Sequence, residues 1–487
     1  MFRREGPPGS CSDMTVPTRH VALVGFMGAG KSTLGAELAR RVGLPFRDLD
    51  REVELSLNTS IKSFFAAEGE EAFRVRETAK TVSALRDQRP AVLALGGGAV
   101  TQEAVRAVLR ERALTILLPV DADTAWERVR GSARPLAQEQ AAFFALHDQR
   151  TPLYRQVADA VAVDVDDAVL AVAGVHVQRG ALQRLGELVP GEGPVALVSD
   201  AHVSGIHGMD AQLALGPRLA ETHELPPGEE AKTLAALDRL WQQLRLDRRG
   251  SIAALGGGCT TDAAGFAAAV YLRGVAWVPL PTSLVAQVDA AIGGKTAIDL
   301  PQGKNLVGAF HWPVRTVVDP ALLETLPEPQ RREGMAEVVK TGLLGGVPLW
   351  ELPDDELVRR CAAFKAAVCL RDPYDRGERA ILNLGHTFAH ALEAGARFEG
   401  VTHGQAVALG LLAALRLSGS DTSVVEEILR PRPVRVDREL AWRAMHRDKK
   451  AVGGELRLVL LGGDGPRWDV AVAADVARRE LDRLIAG

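Results

Sequence analysis

The chain has 487 residues, 47% of them hydrophobic, which at about 150 residues per domain allows roughly three domains, each with its own buried core. A formal net charge of -4 gives no electrostatic case for nucleic acid or an anionic membrane as the main partner, and no apolar run is long enough to span a bilayer; the run after Gln405 stops at Arg416. The four cysteines, Cys11, Cys259, Cys361 and Cys369, form no C-x-x-C pair, which suits a reducing cytoplasm better than a disulfide scaffold.

Residues 1–18 are basic but lack the apolar core of a signal peptide, and their Gly, Pro and Ser content predicts a disordered tail. Ordered sequence begins near His20. VALVGF reads as a buried strand, and LGAELARRVG has helical spacing that closes on Gly43. LPFRDLD, AVLALGGG and LTILLPV are further short strands with helical stretches between them, which predicts a parallel sheet covered by helices over 19–170. No flexible linker follows. From about Gly174, VHVQRG, VALVSD, IAALGGG and VAWVPLP again alternate with helical segments, so a second α/β domain is expected over 174–320. Beyond Pro320 the strand signals fade. EGMAEVVKTGLL, LGHTFAHALEAG and GQAVALGLLAALRL predict a mostly helical domain over 321–487. The two GGG runs, at 96–98 and 256–258, have different flanks and read as a shared device for ending a strand.

Residues 25–32 read GFMGAGKS, the G-x-x-x-x-G-K-[ST] pattern, in its required place between a strand and a helix. Gly28 and Gly30 free backbone amides to wrap phosphates, Lys31 adds positive charge, the Ser32 hydroxyl can hold magnesium, and Thr33 continues the loop into the helix. The second substrate is not named by this motif. Asp48 and Asp50, two apart at a strand end, can face one ligand only if the strand has ended in a turn.

EEAFRVRE, LGGGAV, SARPLAQ and TPLYRQVA follow in order, and with the P-loop they resemble shikimate kinase over roughly 20–165. The resemblance implies ATP-dependent phosphorylation of shikimate with Mg2+. By position, Asp48 is the magnesium-side carboxylate and Asp50 the residue on the acceptor hydroxyl. Arg74 and Arg155 grip the substrate carboxylate, as the planar guanidinium fork suits. Gly97 and Gly98 admit the ring, Arg134 is the lid arginine over the phosphates, and Arg130 faces adenine on looser spacing. Glu77 can also be read as a mere partner of Arg74 or Arg76. Phosphoryl transfer needs positioning and charge neutralisation, and a lid that excludes water. One departure is visible: after PLYRQVA only VAVDVDDAVLAVAG remains, so the closing helix is expected to be short or supplied by the second unit.

In the second unit, the glycines Gly256, Gly257 and Gly258 end a strand and enter a helix, which suits a dinucleotide pyrophosphate without being a G-x-G-x-x-G fingerprint; Lys232 and Asp262 are plausible cofactor contacts. His386 and His390 are four apart on a helix and by spacing alone could share an ion. PPGEEAKTL, LGGGCTTDAAGFAAAVYLRG, PTSLVAQVDAAIGGKTAIDL, GKNLVGAF, EGMAEVVKTG, AILNLGHTFAHALE, THGQAVALG and RDKKAVGGELRLVLL come in that order and resemble 3-dehydroquinate synthase from about 174 to the end. The fold this implies is a Rossmann-like α/β domain followed by the helical one, and the implied assembly is a homodimer through this half.

The resemblance adds Asp200 and Glu229 near the adenosine of NAD, and Thr282, Asp289 and Lys304 near the nicotinamide. It takes Glu337, His386 and His403 as ligands of Zn2+, with Co2+ able to replace it, and leaves His390 beside the substrate. That substrate is 3-deoxy-D-arabino-heptulosonate 7-phosphate, lined by Arg273, Lys295, Lys304, Asn305, Lys340, Lys365, Arg379, Asn383, His390 and Lys449, with Lys450 as an alternative to Lys449. Lys295, Lys340, Arg379 and His390 are the expected catalytic set there, beside Lys31, Asp50 and Arg134 in the kinase. HGQAV carries Gln405 where the family often has an acid. A different P-loop kinase joined to a polyol dehydrogenase is the competing enzyme reading. A regulatory protein with degenerate sites is disfavoured because Lys31, Asp50, Glu337, His386 and His403 are all present.

Overall fold

The computed structural model describes residues 18–132, 135–448 and 455–486. Arg134, Lys449 and Lys450 lie outside the described residues, as do Cys11 and all but the last residue of the expected tail. The chain divides into two compact units, with the boundary between Gly174 and Val175.

In the first unit, β1 (His20–Val24), β2 (Phe46–Asp48), β3 (Val92–Ala94), β4 (Ala113–Leu117) and β5 (Ala160–Val161) form one parallel sheet in the order β2-β3-β1-β4-β5. Every residue of β1 and β3 is buried, as expected of central parallel strands covered on both faces. Val24, Phe26, Leu93 and Phe143 belong to the core that packs helices onto the sheet. The helix Ile61–Leu85 is interrupted at Gly69, whose φ of 82° and ψ of 172° lie outside helical space. VAVDVDDAVLAVAG supplies both β5 and a nine-residue helix, Val165–Ala173. Asp164 caps that helix, Gly174 ends it at φ 69°, and Asp166 pairs with Arg41 at 2.5 Å. The closing helix is therefore short but comes from the first unit itself.

The second unit opens with β6 (Val175–Val177), β7 (Val195–Asp200), β8 (Leu219–Leu225), β9 (Ser251–Gly256) and β10 (Ala276–Pro281). The last four form a parallel sheet in the order β10-β9-β7-β8. β8, LAETHEL, is an edge strand whose half-exposed, polar-rich run carried little strand signal. β11 (Lys295–Leu300) and β12 (Gly303–Phe310) make an antiparallel hairpin, and β13 (Thr316–Val318) pairs in parallel with β6. The region after Pro320 is mostly helical, with one correction: β14 (Glu455–Gly462) and β15 (Gly465–Ala473) form a further antiparallel hairpin. No helix among the described residues is long and apolar enough to cross a membrane.

Two helices of this region, His386–Gly395 and His403–Ser418, cross at a contact without side chains. A Cβ on Gly410 would stand 2.1 Å from the Gly385 carbonyl oxygen, and Gly385, at φ 80°, begins the first helix in a left-handed conformation. Since His386 and His403 open these helices, that crossing sets their separation. Gly410→Ala should therefore destabilise the second unit by about 1–3 kcal/mol through overpacking, read as a fall in its denaturant midpoint, and weaken metal retention in the same variant.

Candidate active sites

In the first unit the site forms where β1, β2 and β3 end. The loop after β1 turns through Gly28 and Gly30, at φ 81° and 85°, and delivers Lys31, Ser32 and Thr33 to the first turn of the helix Lys31–Val42. A Cβ at Gly28 would also meet the Ala125 carbonyl oxygen at 2.9 Å. Lys31 Nζ donates to the carbonyl oxygens of Gly25 (2.8 Å) and Phe26 (3.0 Å), which folds its charge over the loop. Ser32 Oγ donates to Asp48 Oδ2 at 2.5 Å, so the two oxygens proposed for magnesium are already adjacent. Asp50 follows two residues later, in the first turn of the helix Leu49–Leu57 that Asp48 caps.

The other wall comes from β3 and the long helix. A Cβ on Gly96 would collide with both Glu77 and Asp50, and one on Gly98 would lie 2.0 Å from Arg74 Nη1; these glycines exist to let charged side chains reach the sheet edge. Arg74 donates to Glu77 (2.6 Å) and Glu70 (2.8 Å). Burial raises the Glu77 carboxyl, and Asp50 adds to this, while Arg74 opposes it. Tyr154 donates to the Gly97 carbonyl oxygen at 2.5 Å.

Arg155 is exposed, whereas Arg150, five residues earlier, is 4% exposed and 3.9 Å from Glu70. The second guanidinium beside Arg74 is thus Arg150, not Arg155. The signal was available: on the helix Gln140–Val157 the buried positions Phe143, Arg150, Tyr154 and Val157 share one face by three- and four-residue spacing, and Arg155 falls off it. Arg130 is exposed and paired with Glu127 at 2.7 Å, while Arg128 reaches the P-loop, donating to the Gly28 carbonyl oxygen at 2.9 Å.

In the second unit Glu337, His386 and His403 each present a ligand atom within 4.8 Å of the others. Glu337 Oε1 is 3.5 Å from His386 Nε2 and 3.3 Å from His403 Nε2. The far nitrogens are also engaged: His386 Nδ1 meets the Leu384 carbonyl oxygen at 3.2 Å, and His403 Nδ1 meets Glu393 Oε1 at 3.2 Å. Such outer partners fix ring orientation and leave Nε2 for a metal. Burial, with Lys340 nearby, pushes His386 down to about 4, so it stays neutral. Burial opposes protonation of His403 too, but Glu337 and Glu393 outweigh it and lift that ring to about 10. Although burial would raise Glu337, Lys340 and both histidines hold it well below the carboxylate range. A divalent cation fits this set by displacing the proton His403 holds. His390 is exposed on the same helix, its ring 5.6 Å from that of His386. Glu393 was not among the expected residues.

Around this centre Lys340, 2% exposed, contacts Glu337 and lies 3.1 Å from Asp289 Oδ2; Lys365 contacts the same Asp289 and donates to its carbonyl oxygen at 2.7 Å. Burial pushes Lys365 down to about 8. Arg379 is buried and anchored on the carbonyl oxygens of Gly293 (3.0 Å) and Pro373 (3.1 Å). Asn383 closes the short helical turn Glu378–Asn383 ahead of His386. Lys295 pairs with Asp375.

A second cluster lies at the ends of β7, β9 and β10. Gly256 accommodates Thr260, since a Cβ there would lie 2.5 Å from the threonine Cβ; Gly257 and Gly258 lead into the helix Gly258–Val270, an open cradle for a pyrophosphate. Lys232 joins Asp262 (2.8 Å) to Asn305, and Lys304 pairs with Glu229 at 2.6 Å. Asp200 spends one oxygen capping the next turn and accepts from Thr260 Oγ1 at 3.0 Å with the other. Thr282 N donates to the Gly256 carbonyl oxygen, tying β10 to the loop. Arg273 is not brought to either cluster; it is exposed on a turn at φ 69°.

These arrangements define a P-loop phosphotransferase followed by an enzyme with a dinucleotide cradle beside a Glu-His-His metal set. Residues 27–178 match the shikimate kinase family, 222–333 the N-terminal part of 3-dehydroquinate synthase and 334–451 its C-terminal part. The chain belongs to the 3-dehydroquinate synthase family and carries a shikimate kinase domain ahead of it. It is 37% identical over 344 residues to 3-dehydroquinate synthase of Bordetella pertussis (63% of this chain, 95% of that protein) and 40% identical over 333 residues to that of Caulobacter vibrioides (60% and 88%). Among solved structures it is similar to 2-deoxy-scyllo-inosose synthase complexed with carbaglucose-6-phosphate, NAD+ and Co2+, at 26% identity and a TM-score of 0.57, covering 63% of this chain and 96% of that one.

Glu393 offers a test of the metal site. Glu393→Gln removes the carboxylate behind His403 and should lower zinc affinity by about 10- to 100-fold, measured by chelator competition.

Proposed function

We propose that this chain is a bifunctional enzyme of the shikimate route: it phosphorylates shikimate with ATP, and it converts 3-deoxy-D-arabino-heptulosonate 7-phosphate to 3-dehydroquinate with release of phosphate. The observation that carries the synthase half is the convergence of Glu337, His386 and His403 beside the buried Lys340. For the kinase half it is the P-loop facing the wall built by Asp50, Arg74 and Arg150.

In the kinase, the loop amides and Lys31 hold the ATP phosphates, and Ser32 with Asp48 holds Mg2+. Asp50 takes the proton of the acceptor hydroxyl. Arg74 and Arg150 bind the shikimate carboxylate, with Gly97 and Gly98 admitting the ring. Arg130 and Arg134 remain the adenine-side and lid arginines of this reading.

In the synthase, Glu337, His386 and His403 would hold zinc, or cobalt in its place, which would supply a Lewis acid beside the reacting oxygen, and bound NAD would supply the hydride chemistry. The cradle at 256–258, with Asp200, Glu229, Lys232, Asp262, Thr282, Asp289 and Lys304, orients the dinucleotide. Lys340 holds positive charge against Glu337 and Asp289, next to the reacting hydroxyl. Lys295, Lys365, Arg379, Asn383, His390 and Lys449 neutralise and orient the substrate carboxylate and phosphate, with Asn305 near the ring. Arg273 is exposed in the single chain and would act from a homodimer interface, an assembly we also propose. The free thiols Cys259, Cys361 and Cys369 support action in the reducing cytoplasm.

The deciding measurement follows phosphate release and NADH absorbance together on the full chain, before and after chelation and zinc restoration. Zinc-dependent phosphate release without net NADH is expected; stoichiometric NADH without phosphate would mean a polyol dehydrogenase. For the kinase, Arg150→Ala should raise the shikimate KM about 10- to 100-fold through loss of a charged hydrogen bond. Arg155→Ala should stay within about twofold, as an exposed substitution does.

A further inference from the structure

The kinase cleft holds a carboxylate to which no role has yet been given. Glu70 Oε1 accepts from Arg74 Nη2 at 2.8 Å and from Arg74 Nε at 3.2 Å, and lies 3.9 Å from Arg150 Nη2. One anionic oxygen thus sits between the two guanidinium groups assigned to the substrate carboxylate. Glu77 differs: it binds the other face of Arg74, through Nη1 at 2.6 Å, and its side chain is only 4% exposed against 48% for Glu70. Arg150 Nε is buried without a hydrogen-bond partner, so the pair is short of acceptors even with Glu70 in place.

Glu70 also stands on a joint. It follows Gly69, whose φ of 82° and ψ of 172° belong to a region open essentially only to glycine. A Cβ there would meet nothing within 4 Å, so backbone conformation alone demands the glycine. Phe65 before the break and Phe73 after it pack 4.8 Å apart, and both lie under the Arg74 guanidinium, at 6.0 and 5.5 Å. Arg74 is therefore braced by two rings and Glu77, while Glu70 can swing away at the joint without unseating it.

We propose that Glu70 is an internal surrogate for the substrate carboxylate, neutralising Arg74 and Arg150 while the cleft is empty and yielding when the substrate arrives. Binding is then an exchange of one carboxylate for another. Two guanidinium groups at low dielectric repel each other unless an anion lies between them. A ring polyol without a carboxylate would have to expel Glu70 and leave that repulsion uncompensated, so Glu70 makes the site select for acids. This inference rests on the kinase reading above.

The test compares Glu70→Gln with Glu77→Gln in the full-length protein, using shikimate and MgATP. In Glu70→Gln the ratio of shikimate KM to MgATP KM should fall about two- to fivefold, the range of a partly exposed ion pair. The same ratio should rise in Glu77→Gln, where Arg74 loses its anchor. If Glu70 merely positions Arg74, both substitutions raise the ratio, and that result, or no change in Glu70→Gln, overturns the inference alone. Absence of shikimate-dependent ADP formation in the unsubstituted protein would overturn the substrate reading beneath it and this inference with it.

Discussion

A parallel strand has a direction, and in both units the glycine-rich loops collect at the edge where that direction runs out. In the first unit β1 ends at Val24 and gives way to the phosphate loop, β2 ends at Asp48, and β3 ends just before Gly96. In the second, β7 ends at Asp200, β9 at Gly256 and β10 at Pro281, next to Thr282. Crossover helices return the chain to the opposite edge, so only the carboxyl edge is free to open into loops and helix N-termini, where unpaired amides attract anions. The glycines follow from this geometry. They stand at 28, 98 and 256, where the backbone of Ala125 or the side chain of Arg74 or Thr260 occupies the space a Cβ would need.

The metal set depends on a different constraint, the cost of a buried carboxylate. Glu337 is 1% exposed, and an ionised carboxyl so placed is tolerable only with charge around it. Lys340 is one turn along its own helix, and His386 and His403 come from the N-terminal turns of two other helices. The side-chain-free crossing at Gly385 and Gly410 lets those two helices approach. Packing and electrostatics therefore meet at one point: the helices cannot separate without leaving Glu337 with Lys340 as its one remaining partner of this set, and Glu337 cannot be lost without leaving Lys340 as a buried cation against Asp289 alone.

Much of this was legible in the sequence, because it is carried by short local strings. The P-loop, its strand and its helix occupy adjacent residues, and the buried strands announce themselves as apolar runs. What escaped depends on orientation or long-range pairing. Arg150 and Arg155 flank the same TPLY string, and only their positions on the helix face decide which is buried. β8 is half-exposed and rich in polar residues, and β15 opens on Gly-Pro and is largely exposed, so neither run resembles a core strand. Glu393 looks like any helical glutamate until the fold brings His403 against it. The boundary helix Val165–Ala173 is short, as the few residues left after PLYRQVA implied, and Asp164 and Gly174 cap it within the first unit; only its source, left open between the two units by the sequence, needed the fold.

The charges show a further regularity. Among the described residues, several cations read as ligands for an anionic substrate or cofactor already have a carboxylate of the chain beside them: Arg74 has Glu70 and Glu77, Lys232 has Asp262, Lys295 has Asp375, Lys304 has Glu229, and Lys340 and Lys365 share Asp289. A cleft that must hold phosphates and carboxylates needs several like charges close together, and without ligand those charges would oppose folding. Intramolecular counterions remove that opposition, at the cost of part of the affinity, because each anion that enters must compete with one already there. The pairs divide by accessibility. Asp262 and Asp289 are partnered deep in the second unit, where they stiffen the site, whereas Glu70 and Glu229 are about half-exposed and can be displaced. Exposure, more than charge alone, thus separates the carboxylates that build these sites from those that hold a place in them.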